Sequence, residues 1–275
     1  MSLLVKKASI DEKTQLFRIV HDMWPHHPDV DEHTRLRLES VQHLGANWFI
    51  GSLDNELACG LGVYASQVFI EGSTHKLAMI GAVYTAKNHR RKGYAAKLLE
   101  EVIEAYKKDG YELFMLYSDI APSYYEKLGF KLKKMKLTEV SARNNKMTIK
   151  EHSLEEYEKL IPNYRFMIER RKDYRNWLFE RSGARLFLDE KNSTYALVGE
   201  HEGEPYILES SKNKDLRAFI EQLASNLELS SLKYWGQLPG LKAQDFKAEI
   251  PMFHSDSIDI DKLIENIELF PIDHV

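Results

Sequence analysis

Residues 78–130, AMIGAVYTAKNHRRKGYAAKLLEEVIEAYKKDGYELFMLYSDIAPSYYEKLGF, pass from an apolar run through a basic glycine turn and an amphipathic segment to a second apolar run and a tyrosine pair. Met79 to Thr85 is apolar and closes on the polar run Ala-Lys-Asn-His, the pattern of a buried strand in a largely parallel sheet. From Ala95 the apolar residues Ala95, Leu98, Leu99, Val102, Ile103 and Tyr106 recur every three or four positions, which is one helix face. Glu104 precedes Lys108 as a favourable surface pair, and Gly110 is a natural stop. Tyr111 to Tyr117 predicts a second buried strand. A helix joining two such strands predicts that they are parallel, with a right-handed crossover.

The turn into this helix is Arg90-Arg91-Lys92-Gly93-Tyr94-Ala95. First-turn amides lack partners inside a helix, and the helix dipole makes that end favourable for anions. Glycine at 93 and alanine at 95 remove bulk, so a pyrophosphate could approach the backbone, and three consecutive cations add attraction. Neither GxxxxGK[ST] nor GxGxxG is present, which excludes the two common nucleotide phosphate loops. Taken alone, the turn reads more readily as a solvated basic helix start than as a phosphate site.

Two motifs together go further. Arg90-x-x-Gly93-x-Ala95 follows Val83-Tyr84-Thr85, and Tyr125-Glu126-Lys127-Leu128-Gly129-Phe130 follows about thirty residues later, after a helix and a strand. This resembles the GNAT (GCN5-related N-acetyltransferase) family, matching its acetyl-CoA loop (R/Q-x-x-G-x-G/A) and its YEKLGF-type helix. The resemblance implies an α/β fold with a mixed sheet, acetyl-CoA as co-substrate and no metal. It places the amides of Arg91, Lys92, Gly93, Tyr94 and Ala95, with Arg90, on the cofactor pyrophosphate. Val83, Tyr84 and Thr85 would bond the pantetheine arm where the two parallel strands splay, with Ser118 and Ser123 as further cofactor contacts. Tyr125 matches the family's general acid, which protonates the departing sulfur. A phenol, with a reference pKa of about 10, is protonated at neutral pH and can do so. Read as residues only, Tyr124 is core or pantetheine wall, and Tyr125 a buried aromatic with a satisfied hydroxyl.

Across all 275 residues, 43% apolar and 29% charged content describes a globular chain with material for a real core. A net charge of −4 and a pI near 6.3 argue against nucleic-acid binding. That acidic balance also favours cationic acceptors. The single cysteine, Cys59, lies in an apolar strand pattern and reads as a core thiol. Without a signal peptide or a long apolar run, the expectation is a cytoplasmic monomer or homodimer with no membrane partner.

Toward the N-terminus, Leu3 to Ala8 predicts a first strand, and Ser9 caps a helix with acids in its first turn. A helix is predicted over Asp31 to Leu44, with strands at Trp48 to Leu53, Leu57 to Ile70 and Leu77 to Thr85. Between the first two helices lies HDMWPHHPDVDEH, which forms one wall of the acceptor pocket in GNAT proteins. The resemblance therefore makes Trp24, His26 and His27 acceptor contacts. His21, His26, His27 and His33 are close in sequence, but two prolines interrupt any helical ligand face, so no metal site is expected. An alkyl amine is under roughly 0.1% neutral at pH 7, so a base is needed. Glu71, Asp119, His26 and His27 are open to that role. Asp119, nearest in sequence to Tyr125, joins it as a catalytic candidate, though it would equally cap the turn that follows.

After Phe130 the strand is expected to continue through KLKKMKLTEV until SARNNK breaks it, dividing the chain into residues 1–145 and 146–275. The second part repeats the first. Val5-Lys-Lys-Ala-Ser-Ile-Asp-Glu aligns with Ile149-Lys-Glu-His-Ser-Leu-Glu-Glu, and helix and strand patterns recur in order, which indicates a duplicated domain. Where the first copy has RRKGYA the second has SKNKDL, with Asp215 at the helix start, and GQLPGLKAQDF replaces the tyrosine helix. The second copy thus reads as a degenerate GNAT-like domain that shapes the acceptor pocket or packs against the first. Its aromatics Tyr174, Trp177, Tyr234 and Trp235 read as core. The two-domain plan is similar to the enhanced intracellular survival acetyltransferases. There the chain end acts as base, a role that the resemblance does not carry to the Val275 carboxylate of this shorter chain. The expected activity is acetyl transfer to a primary amine of a small molecule or peptide. A non-catalytic acyl-CoA sensor is the alternative, and an assembly protein ranks below it.

Overall fold

A computed structural model describes residues 2–160 and 166–273. The first half runs β1 (Leu4–Lys7), α1 (Ile10–Ile19), α2 (Val30–Glu39), α3 (Val41–Leu44), β2 (Asn47–Leu53), β3 (Glu56–Ile70), β4 (Ser73–Thr85), α4 (Tyr94–Lys108), β5 (Leu113–Ser118), α5 (Ser123–Glu126), β6 (Lys131–Leu132) and β7 (Met135–Ser141). The second runs β8 (Lys150–His152), β9 (Phe166–Ile168), α6 (Lys172–Arg181), β10 (Arg185–Asp189), β11 (Thr194–His201), β12 (Glu204–Ser210), α7 (Leu216–Asn226), β13 (Ser231–Trp235), β14 (Ala243–Phe246), β15 (Ile250–His254) and α8 (Ile260–Asn266).

Local chemistry explains the elements that frame the site. Ser9 and Glu12 form a reciprocal capping box at α1, with Glu12 N donating to Ser9 Oγ at 3.3 Å. Asp54 and Asn55 both take positive φ (48° and 66°), which turns β2 tightly into β3. Leu98, Leu99, Val102, Ile103 and Tyr106 bury the predicted face of α4. On β4, Ala78 and Ile80 face α4, while Leu77 and Met79 face a core shared with the second half. β5 alternates likewise, with Phe114 and Leu116 on the α4 side and Leu113 and Met115 on the other. Cys59 is buried, and burial pushes its thiol up to about 12, so it is a protonated core group.

The strands form two sheets, ordered β1-β2-β3-β4-β5-β15-β6 and β8-β10-β11-β12-β13-β7-β14, with β9 alongside β3. Among the described residues each sheet has one parallel pair, β4 with β5 and β12 with β13, and is otherwise antiparallel. The expectation of a largely parallel sheet is corrected here, because tight hairpins join β2, β3 and β4 and only α4 supplies a crossover. The expected single strand through KLKKMKLTEV is corrected too. β6 stays in the first sheet, the chain breaks at Lys133–Lys134, and β7 pairs with β13 and β14 in the second. In return, β15 enters the first sheet between β5 and β6, with Met252 and Phe253 fully buried. Each sheet thus takes its sixth strand from the other half of the chain. Among the described residues, no helix is long and apolar enough to cross a membrane.

Candidate active site

β4 and β5 pair from Leu77 and Leu113 as far as Ile80 and Leu116, and then part. At that point β4 bulges against β3, its register shifting between Gly60 and Gly62, and Ala82 takes a φ of 49°. A bulge re-aims backbone groups that a regular ladder would consume. Ile80, Gly81, Ala82 and Val83 from β4, and Leu116 and Tyr117 from β5, line a cavity of about 890 Å³. The α1–α3 side contributes Trp24, His26, Arg37 and His43, β3 contributes Tyr64, and the second half contributes Tyr174, Trp177, Arg181, His201 and Glu249.

Tyr125 enters this cavity from α5, a short helix that follows Pro122 and closes when Phe130 N donates to the Tyr125 carbonyl at 3.1 Å. The Tyr125 residue is 5% exposed, its ring packed against Tyr124 and Phe130. Burial, with Tyr124 and Asp119 nearby, raises its phenol above the ordinary value, so it holds its proton at neutral pH. Asp119 lines the same cavity and is exposed. Ser118 is buried, its hydroxyl donating to Ile120 O at 3.0 Å, while Ser123 is exposed.

The basic turn lies outside the cavity lining, at the start of α4. Arg91 and Gly93 take left-handed φ values of 62° and 81°, and Gly93 is the N-cap with no side-chain cap. A side chain built on Gly93 would meet nothing within 4 Å, so the approach to the first-turn amides of Tyr94 and Ala95 is open. Arg91 and Lys92 are exposed. Arg90 instead folds back, its Nε donating to Thr85 O at 3.0 Å and its guanidinium lying 5.9 Å from the Tyr84 ring. The Tyr84 side chain is buried with Leu16, Phe17 and Trp48, which leaves its backbone as the part able to meet a ligand.

Of the predicted acceptor residues, Trp24 and His26 line the cavity and His27 does not, its ring accepting from Asp29 N at 3.1 Å. Glu71 is also absent from the cavity lining. It sits in the β3–β4 turn, 3.6 Å from Lys262. Val275 lies outside the described residues. Loss of water, then the Arg37 charge, pushes His26 down to about 4 and His43 down to about 3, so both rings are neutral at pH 7. Sequence reasoning missed Arg37, His43 and Tyr64, linked by His43 Nδ1 to Tyr64 Oη at 3.0 Å and Arg37 to His43 Nε2 at 3.4 Å. Tyr174 and Trp177, expected in the core, stack 5.7 Å apart in the cavity wall, their spacing of three on α6 being the signal. Tyr234 and Trp235 are core. Among the described residues no group of His, Cys, Asp and Glu is placed to hold a metal.

The family model described as an acetyltransferase (GNAT) domain matches residues 4–132, from β1 through β6, including both the basic turn and the tyrosine helix. Residues 4–132 are a GNAT domain by that match. No curated protein sequence matches the chain. Solved structures extend the GNAT likeness over both halves. A protein of unknown function from Enterococcus faecalis, described as a probable N-acyltransferase, has a TM-score of 0.71 at 14% identity over 92% of this chain and 72% of its own. A GCN5-related N-acetyltransferase from Kribbella flavida gives 0.69 at 12%, with the same coverage. Eis1 from Mycobacterium abscessus gives 0.65 at 13%, over 96% of this chain and 76% of its own. At these identities the shared property is the fold, here a duplicated GNAT arrangement.

The second copy repeats the strand order and treats the equivalent point differently. β12 shifts register against β11 between Leu197 and Val198, and Glu209 beyond it is buried. Its carboxylate accepts from Tyr157 and Tyr195 hydroxyls, both at 2.9 Å, and from Arg170 at 3.1 Å, while Arg170 also pairs with Asp273.

Proposed function

We propose that the chain is an N-acetyltransferase that moves an acetyl group from acetyl-CoA to a primary amine. The supporting observation is that the bulged splay of β4 and the protonated Tyr125 open onto one cavity. The co-substrate pyrophosphate would rest on the amides from Arg91 to Ala95, with Arg91 and Lys92 as screening cations. Its pantetheine arm would bond β4 backbone around Val83, Tyr84 and Thr85. The neutral amine attacks the thioester carbonyl, and an amide of bulged β4 holds the oxygen charge that develops. The carbon–sulfur bond then breaks with its electron pair on sulfur, and Tyr125 supplies the proton that makes the free thiol. Asp119, in the same cavity, takes the proton the amine must lose. Residues 146–275 serve as a degenerate copy that closes the acceptor side of the cavity.

Acetyl-CoA should raise the melting temperature by mass action. Thiol release should follow addition of an accepted amine from a panel of polyamines, aminoglycosides, amino acids and peptides. Tyr125→Phe should keep the thermal shift and lower kcat by about 10²- to 10⁴-fold. A thermal shift with no thiol release from any amine would favour the sensor instead.

A further inference from the structure

The cavity is lined by the carboxylates Asp119, Glu200, Glu202 and Glu249 and by the cations Arg37, Arg181 and Lys247. The pairing of Ile250 with Ser118 sets Glu249 across from Asp119, whose charge acts on Tyr125, and Glu249 is 3.3 Å from His201. The charges of Arg37 on α2 and Arg181 on α6 both act on the rings of His26 and His43. Arg37 is only 4% exposed, and its Nε has no partner. Its hydrogen bonds are long ones, to His43 Nε2 and to Trp24 O, each at 3.4 Å, and its guanidinium lies 5.8 Å from the Phe17 ring. Among the described residues neither arginine makes an ion pair with a carboxylate, and Arg181 lies over the Trp177 ring at 5.2 Å. Holding the Arg37 guanidinium out of water without an anion is costly, and an arriving carboxylate would recover that loss through charge-assisted hydrogen bonds, with the exposed Arg181 adding its charge. The arginines cannot serve the co-substrate phosphates, whose loop lies outside this lining. Trp24, Tyr174 and Trp177 give the same cavity flat walls.

We infer that the acceptor is an amine that also carries a carboxylate, with the carboxylate held by Arg37 and Arg181 while the amine reaches Asp119 and Tyr125. This rests on the acetyltransferase reading for its chemistry, and it departs from the cationic acceptor that the net charge of −4 favours. The carboxylate belongs either to a free amino acid or to the C-terminus of a short peptide.

The test has a binding arm and a turnover arm, both on the full chain saturated with acetyl-CoA. By calorimetry, 3-phenylpropionate should bind at least about tenfold tighter than 3-phenylpropionamide, the size expected of a hydrogen bond to a charged group. In thiol release, phenylalanine should exceed phenethylamine in kcat/KM by about tenfold to a hundredfold. Phe-Gly-Gly against its C-terminal amide separates the peptide source from the free amino acid. Arg37→Gln and Arg181→Gln should each collapse the acid-to-amide binding ratio toward one. Arg181 is exposed, so its variant keeps the test alive should Arg37→Gln fail to fold. Equal binding of acid and amide, binding of neither, or a preference that survives Arg181→Gln and a folded Arg37 variant would overturn the inference. A tenfold preference in binding with no turnover by any amine would leave the anion site standing and remove the enzymatic reading.

Discussion

Apart from β9, which joins the first sheet beside β3, the two sheets follow one plan among the described residues, seven strands in matching order with a single parallel pair and a distorted strand in it, yet they use that distortion differently. In the first, the parting of β4 and β5 beyond Ile80 and Leu116 opens onto the cavity that holds Tyr125. In the second, the corresponding strand carries Glu209 into a buried network with Arg170, Asp273, Tyr157 and Tyr195. A parted strand pair leaves backbone and space that something must satisfy. A ligand can do so in one copy, and charged side chains do so in the other. Once filled in this way, the site cannot be reopened by a single change, because removing one charge strands its partners.

The sharpest way to break the comparison is to separate the halves. Residues 1–145 alone lack β15, so β5 and β6 would face an empty slot, and β7 would have no partner. No cooperative thermal transition is expected from that fragment by circular dichroism, whereas the full chain should unfold in one transition. A cooperative melt would show that the exchanged strand is dispensable. Next, Arg170→Met should destabilise the full chain by about 3–5 kcal/mol in urea titration, since Glu209 and Asp273 would lose a shared buried counter-charge. No comparable loss should follow Arg185→Met, whose partner Glu151 is half exposed.

Acid should unsettle the first copy in particular. Burial depresses His43, and His33 likewise, so the unfolded chain takes up protons at a higher pH than the folded one. Their contribution is present above about pH 6.5 and is lost as pH falls toward the folded values, at about 1.4 kcal/mol per unit for each group. Melting temperature measured from pH 7.5 to 4.5 should fall, and His43→Gln should flatten the slope. The smallest effect is expected at the turn. Gly93→Ala places a side chain at a φ of 81°, costing about 1 kcal/mol and weakening the thermal shift by acetyl-CoA a few-fold. The equivalent turn of the second copy, around Asp215, should give no acetyl-CoA response to any substitution.

Much of this was legible because neighbouring residues determine it. The α4 face from Leu98 to Tyr106, the Ser9–Glu12 cap and the Asp54–Asn55 turn each depend on contacts within a few positions. Lys131 to Val140 was not legible, since one alternating run serves equally as one strand or as two strands in different sheets. Nor was Arg37, because a helix pattern treats charged residues as outward, and α2 turns His33 and Arg37 inward. His26 and His27 are adjacent and chemically identical, yet only one lines the cavity, and only the path of the loop separates them.

The reciprocal strand placement also sets a clock on biosynthesis. When β5 leaves the ribosome its sheet is still missing β15, which is encoded more than a hundred residues later. At translation rates of about 5–20 residues per second, the nascent first half carries an unsatisfied edge for on the order of ten seconds. Slower synthesis across residues 119–250 lengthens the time for which that edge is open to wrong pairing.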